Sequence, residues 1–296
     1  MKKILSLFLI SLFSISYAYA EPVKKKAKVK KYKHQYVKTY KNKKVKYSLR
    51  SQHLYSPVSS YGVYDLSSNN FYDEHNVDDI KSIASITKLF TAITVINSKA
   101  DLEEKLYVAG HNGGKVPRGT YISRIDLLKA MVTNSDNLAA EVLAHNHPGG
   151  FQKFLADANE YNKNIGLKNT SIVDSSGLLA DNKSTAADLI KFLNHIKDNS
   201  TIKEIASLRG HEIETHRPKS KRLLKIKFHN TNPDIYKMDN VVISKTGFTN
   251  PAGRCVVMLI EKNSKLYALV VLGARNPQDR SRILHNLLDK SNSVQI

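Results

Sequence analysis

Hydrophobic positions alternate in short segments near the two ends of the chain and follow a helical period between them. Tyr61-Gly-Val-Tyr-Asp65, the polar turn Ser67-Ser-Asn-Asn70 and Phe71-Tyr72 predict two short strands around a turn. Within Ser82 to Ile96, the residues Ile86, Leu89, Phe90, Ile93 and Ile96 recur at three- and four-residue steps, the period of a buried helix face. Ser123 and Asp126 have the spacing of a capping box before Leu127, Leu128, Met131 and Val132, and Thr185 and Asp188 repeat it before Leu189, Ile190 and Phe192. The run from Phe151 to Ile165 also reads as helix. Val241-Val-Ile243, Cys255 to Ile260 and Leu266 to Leu272 are β-rich, and the polar turn Glu261-Lys-Asn-Ser-Lys265 folds the last two into an antiparallel hairpin. Pro277 opens a closing helix through Ile283, Leu284, Leu287 and Leu288. Strands at both ends with helices between predict an α+β domain, a sheet whose first and last strands meet plus a helical insertion.

Two N-terminal segments fall outside this pattern. Lys2 and Lys3, the apolar stretch Ile4 to Ile15 and Ala18-Tyr19-Ala20 read as a signal peptide over residues 1–20, cut before Glu21. The expectation is an exported protein. Residues 21–50 hold twelve lysines and one arginine against one glutamate, so this arm supplies +12 of the formal net charge of +20. The leader adds +2, which leaves +6 for residues 51–296, the predicted folded domain. Like charges and few aliphatic side chains predict an extended basic linker, suited to an anionic envelope surface. Nucleic acid is not expected as a partner of an exported chain. The single cysteine, Cys255, has no partner for an internal bridge and sits in an apolar strand, so it reads as a buried thiol.

Three short motifs carry candidate chemistry: Ser85-Ile-Thr-Lys88, Ser135-Asp-Asn137 and Lys245-Thr-Gly247. Ser200-Thr-Ile-Lys203 and Ser68-Asn-Asn70 show that single matches are cheap here, so the order of the three carries the argument. A three-residue step on a helix brings Ser85 and Lys88 to one face, where an amine of lowered pKa can take the hydroxyl proton. Burial, or a neighbouring cation for which Lys245 is a candidate, would lower it. Ser135-Asp-Asn137 falls between two helical patterns, where a loop can present Ser135 as a proton shuttle and Asn137 as an amide while also capping the next helix. Lys245 and Thr246 on a strand edge suit a carboxylate, and Gly247 leaves room for close passage of substrate.

With their flanks, these motifs resemble the serine-type D-alanyl-D-alanine peptidases, low-molecular-mass penicillin-binding proteins, and most of all their soluble D,D-endopeptidase branch. The resemblance runs through Ala84 to Leu89, Asn134 to Ala140, His147-Pro-Gly-Gly150, Val173 to Leu178, His229-Asn-Thr-Asn232 and Ser244 to Arg254. It implies a β-lactamase/transpeptidase-like fold, a five-stranded antiparallel sheet flanked by helices with an all-helical insertion. It also implies that Ser85 is acylated, Lys88 is the general base and Ser135 relays the proton. Asn137, Lys245, Thr246 and Gly247 would hold the substrate, the N–H groups of Ser85 and Phe248 would form the oxyanion hole, and Arg280 would meet a carboxylate. Peptidoglycan peptides are then the substrates, β-lactams covalent inhibitors, and a soluble periplasmic protein is expected, with no metal or cofactor. His145 and His147 read as turn histidines before Pro148. Two other readings stand beside this one: a class A-like β-lactamase, with Glu160 as the residue to examine, and a non-catalytic wall-binding protein.

Overall fold

The computed structural model describes residues 59–220 and 222–292. The signal segment and the basic arm lie outside the described residues. β1 (Ser60–Asp65) and β2 (Asn70–His75) form the opening hairpin, with the Asp65 carboxylate accepting the Ser67 N–H at 2.7 Å to hold the turn. A short strand, β3 (Lys81–Ser82), leads to a single 3-10 turn at Ala84–Ile86 and then to α1 (Thr87–Asn97). The small ladder β4 (Lys105–Tyr107) and β5 (Tyr121–Ser123) precedes α2 (Arg124–Thr133) and α3 (Asn137–His145). Next come α4 (Gly150–Asn164), β6 (Lys183–Ser184), α5 (Ala186–Ile196) and α6 (Ser200–Ser207). A hairpin of β7 (Gly210–His216) and β8 (Leu223–His229) is followed by β9 (Val241–Thr249), β10 (Gly253–Lys262), β11 (Lys265–Ala274) and α7 (Pro277–Asn292).

The five-stranded sheet has the order β2-β1-β11-β10-β9, and its neighbours are antiparallel. The first and last strands meet as the pattern predicted, with Ser60 opposite Leu272 and Asp65 opposite Tyr267. Alternation along each strand divides the core in two. Val256, Met258, Leu269 and Val271 pack on one face with Ile283, Leu284 and Leu287 of α7. Val257, Leu259, Val270 and Leu272 look the other way, into a larger cluster with Phe90 of α1 and Phe192 of α5, whose rings stack at 3.9 Å. The capping devices form as the sequence implies: Ser123 accepts from the Asp126 N–H at 3.2 Å and Thr185 from the Asp188 N–H at 3.0 Å. β9 is an outer strand of the sheet, and the turn before α1 packs against it.

Candidate active site

Ser85 lies in the 3-10 turn that feeds α1, and Ala84 before it has φ +46, a left-handed backbone that a non-glycine residue rarely adopts. Two glycines make this turn possible. A Cβ on Gly177 (φ +81) would stand 1.9 Å from the Ala84 carbonyl oxygen, and one on Gly247 would stand 3.0 Å from both the Ile83 oxygen and the Ser85 nitrogen. Gly247 therefore lets β9 close on the Ser85 turn. Gly247 also lines the cleft, where the sequence expects it to leave room for substrate.

Lys88 is fully buried on the first turn of α1. Its Nζ donates to Ser85 Oγ at 2.9 Å, to Asn137 Oδ1 at 2.7 Å and to the Ser176 carbonyl at 2.6 Å. Burial lowers its pKa from 10.5 to about 7, against the opposing charges of Asp174 and Asp136. Of the two causes the sequence allows, burial is the one that acts, and the Lys245 charge is not. Lys245 is itself buried, its Nζ donates to the Thr246 carbonyl at 2.8 Å, and burial followed by the Lys88 charge holds its pKa well below the lysine range. Expected in the cleft beside Thr246, Lys245 is buried and absent from the cleft lining, and strand alternation turns it to the face opposite Thr246.

Asp136 caps α3 by accepting the Ala139 N–H at 2.9 Å and also takes the Val116 N–H at 3.1 Å. That cap fixes the loop in which Ser135 adopts φ +59 and Asn137 reaches Lys88. The loop is tied to the far wall by the Thr231 N–H bonding the Thr133 carbonyl at 3.1 Å and Asn134 Nδ2 bonding the His229 carbonyl at 3.1 Å. Thr231 then shares a 2.6 Å hydrogen bond with the Thr246 hydroxyl. A cleft of about 320 Å³ is lined by Ser85, Ser135, Asn137, Thr246, Gly247, Phe248 and Arg280 from the sequence-derived set. Leu178, Thr231, Thr249 and Arg254 complete it.

These four lie in the stretches that carry the family resemblance, and their signal in the sequence is position beside a motif. Asp174 builds the floor by accepting the Ser176 N–H at 2.7 Å and the Leu179 N–H at 2.7 Å, which aims the Ser176 carbonyl at Lys88. The decoy Ser200 begins α6, and Ser68 sits in the β1–β2 turn. Glu160 lies on α4 and lines a separate depression with Asp157 and Asn164. His147 Nε2 meets Asp157 at 2.8 Å, and the His145 ring stacks on Phe151. Cys255 is buried opposite Gly247, and burial pushes its thiol up to about 11.

A serine hydroxyl bonded by a buried amine, set between a helical unit and the edge of an antiparallel sheet, defines the class of acyl-serine enzymes. The chain belongs to the D-alanyl-D-alanine carboxypeptidase family, whose model matches residues 48–276. It is 36% identical to a D-alanyl-D-alanine endopeptidase of Escherichia coli over 221 residues, 72% of this chain and 70% of that one. A D-alanyl-D-alanine endopeptidase of Haemophilus influenzae is 30% identical over 243 residues, 79% of this chain and 81% of that one. Among solved structures, a DD-transpeptidase of Streptomyces shares the fold with a TM-score of 0.74 at 20% identity, covering 79% of this chain and 96% of that one. A penicillin-binding protein of Listeria monocytogenes, solved with ampicillin bound, gives a TM-score of 0.71 at 26% identity over 82% of this chain and 100% of that one. The chain is a serine D,D-peptidase of the cell wall.

Proposed function

We propose that the enzyme hydrolyses D-alanyl bonds in peptidoglycan cross-links, with D,D-carboxypeptidase activity as a second outlet, through an acyl-Ser85 intermediate. The observation that carries this reading is the 2.9 Å hydrogen bond between Ser85 Oγ and an amine whose pKa burial brings to about 7. Neutral Lys88 takes the Ser85 proton as Oγ attacks the D-alanyl carbonyl. The N–H groups of Ser85 and Phe248 receive the oxyanion, in keeping with the close approach of β9 to the Ser85 turn. Ser135 passes a proton to the leaving amine, and water then releases the acyl group. Asn137 and Thr246 hold the substrate, Gly247 keeps β9 against the nucleophile, and Lys245 braces β9 through its hydrogen bond to the Thr246 carbonyl. Arg280 binds a carboxylate; it sits on α7, just beyond the segment the family model matches.

β-Lactams would acylate the same serine, as the ampicillin-bound relative encourages. The endopeptidase preference rests on the activity printed for the relatives above. Among the described residues no helix is long and apolar enough to cross a membrane. Export to the periplasm, release of residues 1–20 and attachment of the basic arm to an anionic envelope surface belong to the same proposal.

The test is the intact mass of the protein after exposure to penicillin, for wild type and Ser85→Ala. A one-to-one adduct that disappears in the variant is expected, followed by cleavage of cross-linked muropeptides. Absence of an adduct on folded wild type refutes the acyl-serine reading. An adduct that clears within about seconds favours a β-lactamase, although Glu160 lies outside the cleft lining.

A further inference from the structure

The hairpin of β7 and β8 ends in a run that the catalytic site does not use. From Arg217 to Arg222 the sequence reads Arg-Pro-Lys-Ser-Lys-Arg, four cations without an acid, whereas residues 51–296 as a whole carry +6. Most of the folded domain's net charge is therefore gathered at one turn. Lower in the ladder the charges are matched, Lys225 with Glu214 and Lys227 with Glu212 at 3.5 Å. At the turn Arg217, Lys219 and Arg222 are exposed and make no ion pair among the described residues.

Apolar and aromatic surface adjoins these cations. Leu223, opposite His216 in the ladder, is 39% exposed. The Thr215 hydroxyl donates to the Tyr121 carbonyl at 2.8 Å, which sets the β4–β5 ladder against the end of β7. There Tyr121 stands opposite Tyr107, with ring centroids 5.2 Å apart and exposures of 49% and 50%. Their strand neighbours Leu106 and Ile122 are buried, so the ladder is held down by its inner face and presents tyrosine outward. Arg118, close to the same ladder, directs its guanidinium to the Gly110 and Asn112 carbonyls at 3.1 and 2.7 Å and keeps its charge uncompensated. A neutral glycan would use the rings but not the cations, and a soluble polyanion would use the cations but not Leu223. A bilayer interface uses all three: phosphates for Lys and Arg, the headgroup level for Tyr, and the acyl boundary for Leu.

We propose that the β7–β8 turn and the Tyr107–Tyr121 pair form a docking surface for bilayers rich in anionic phospholipid. The contact is peripheral and reversible, made by a convex turn and two rings. None of its residues lines the catalytic cleft, and none belongs to the N-terminal arm. The inference therefore stands or falls independently of the acyl-serine reading.

The chain has no tryptophan, so Leu223→Trp gives the full chain a single fluorescent reporter at the turn. It is mixed with vesicles of phosphatidylethanolamine and phosphatidylglycerol, or of phosphatidylcholine alone, with and without brominated acyl chains. A blue shift and bromine quenching on the anionic vesicles only are expected. The triple variant Arg217→Gln, Lys219→Gln, Arg222→Gln is read by vesicle sedimentation in about 0.15 M salt. Binding is expected to weaken about a hundredfold, about fivefold for each charge removed. The arm is the same in variant and wild type, so its contribution cancels from that ratio. Penicillin labelling at the wild-type level shows that the variant is folded. An indole that does not shift, or a triple variant within about twofold of wild type, overturns the proposal and leaves any vesicle binding to the arm. Equal response to phosphatidylcholine overturns it as well, and a shift on isolated wall sacculi but not on vesicles overturns it in favour of a wall polymer.

Discussion

The rate of acylation by penicillin, followed from about pH 5 to about pH 10, measures the neutral fraction of Lys88 if that amine is the base. Moving a lysine from 10.5 to about 7 corresponds to a preference of about 5 kcal/mol for the uncharged amine. The source is visible in the structure: the side chain is shut off from solvent, and its three acceptors are a hydroxyl, an amide oxygen and a carbonyl, none of them charged. Near pH 7 about half of the molecules then hold a neutral Lys88, whereas an ordinary lysine would be neutral in about one molecule in 3000. Acylation is expected to rise about tenfold per pH unit up to about pH 7 and to level off by about pH 8. A stopped-flow assay with a chromogenic β-lactam gives the profile directly. A rate still climbing tenfold per unit at about pH 9 would refute the desolvation argument, and a flat rate down to about pH 5 would remove Lys88 as the base.

Two further perturbations test the scaffold of the site. Gly177→Ala places a methyl against the Ala84 carbonyl and an alanine at φ +81; a loss of about 3 kcal/mol or more in denaturant unfolding, with slowed acylation, is expected. A variant within about 0.5 kcal/mol of wild type would show that the turn gives way freely. Lys88→Met should end acylation yet raise stability at pH 7 by about 1–3 kcal/mol, because it removes a buried amine that the unfolded chain protonates more readily. The folded pKa of about 7 lies below the ordinary 10.5. Wild type therefore gains stability as the pH rises through that window, and the variant's advantage is largest below about pH 7 and fades toward 10.5. Equal stabilities of the two proteins at pH 7 would contradict the lowered pKa.

The elements legible in the sequence were those whose own residues declare them. The helix face of Ile86, Leu89, Phe90 and Ile93, the capped helices after Ser123 and Thr185, and the terminal hairpin all form where periodicity and turn chemistry place them. The β7–β8 hairpin, absent from the elements predicted above, also has a pattern in the sequence. Glu212-Ile-Glu214 faces Lys225-Ile-Lys227, alternating with period two and pairing charges across the ladder. In the site, local spacing gave the pair Ser85 and Lys88, because three residues of helix fix their geometry. It did not give Thr231 or Ser176, whose roles arise from contacts across 15 residues to Thr246 and across 88 to Lys88. The burial of Lys245 was not legible locally, because β9 is covered on both faces from Ile243 to Gly247 by elements distant in sequence.

The outer position of β9 has a consequence for how a peptide is read. β9 has β10 on one side and, among the described residues, no strand on the other. Its outer edge runs beside the Ser85 turn. An extended peptide laid along it gains main-chain hydrogen bonds whatever its side chains are. Chain direction and backbone handedness would then be sensed before any side chain is. The sheet would count a sixth strand only while occupied, and the outer amides of β9 would exchange with solvent slowly in the occupied protein and quickly in the empty one.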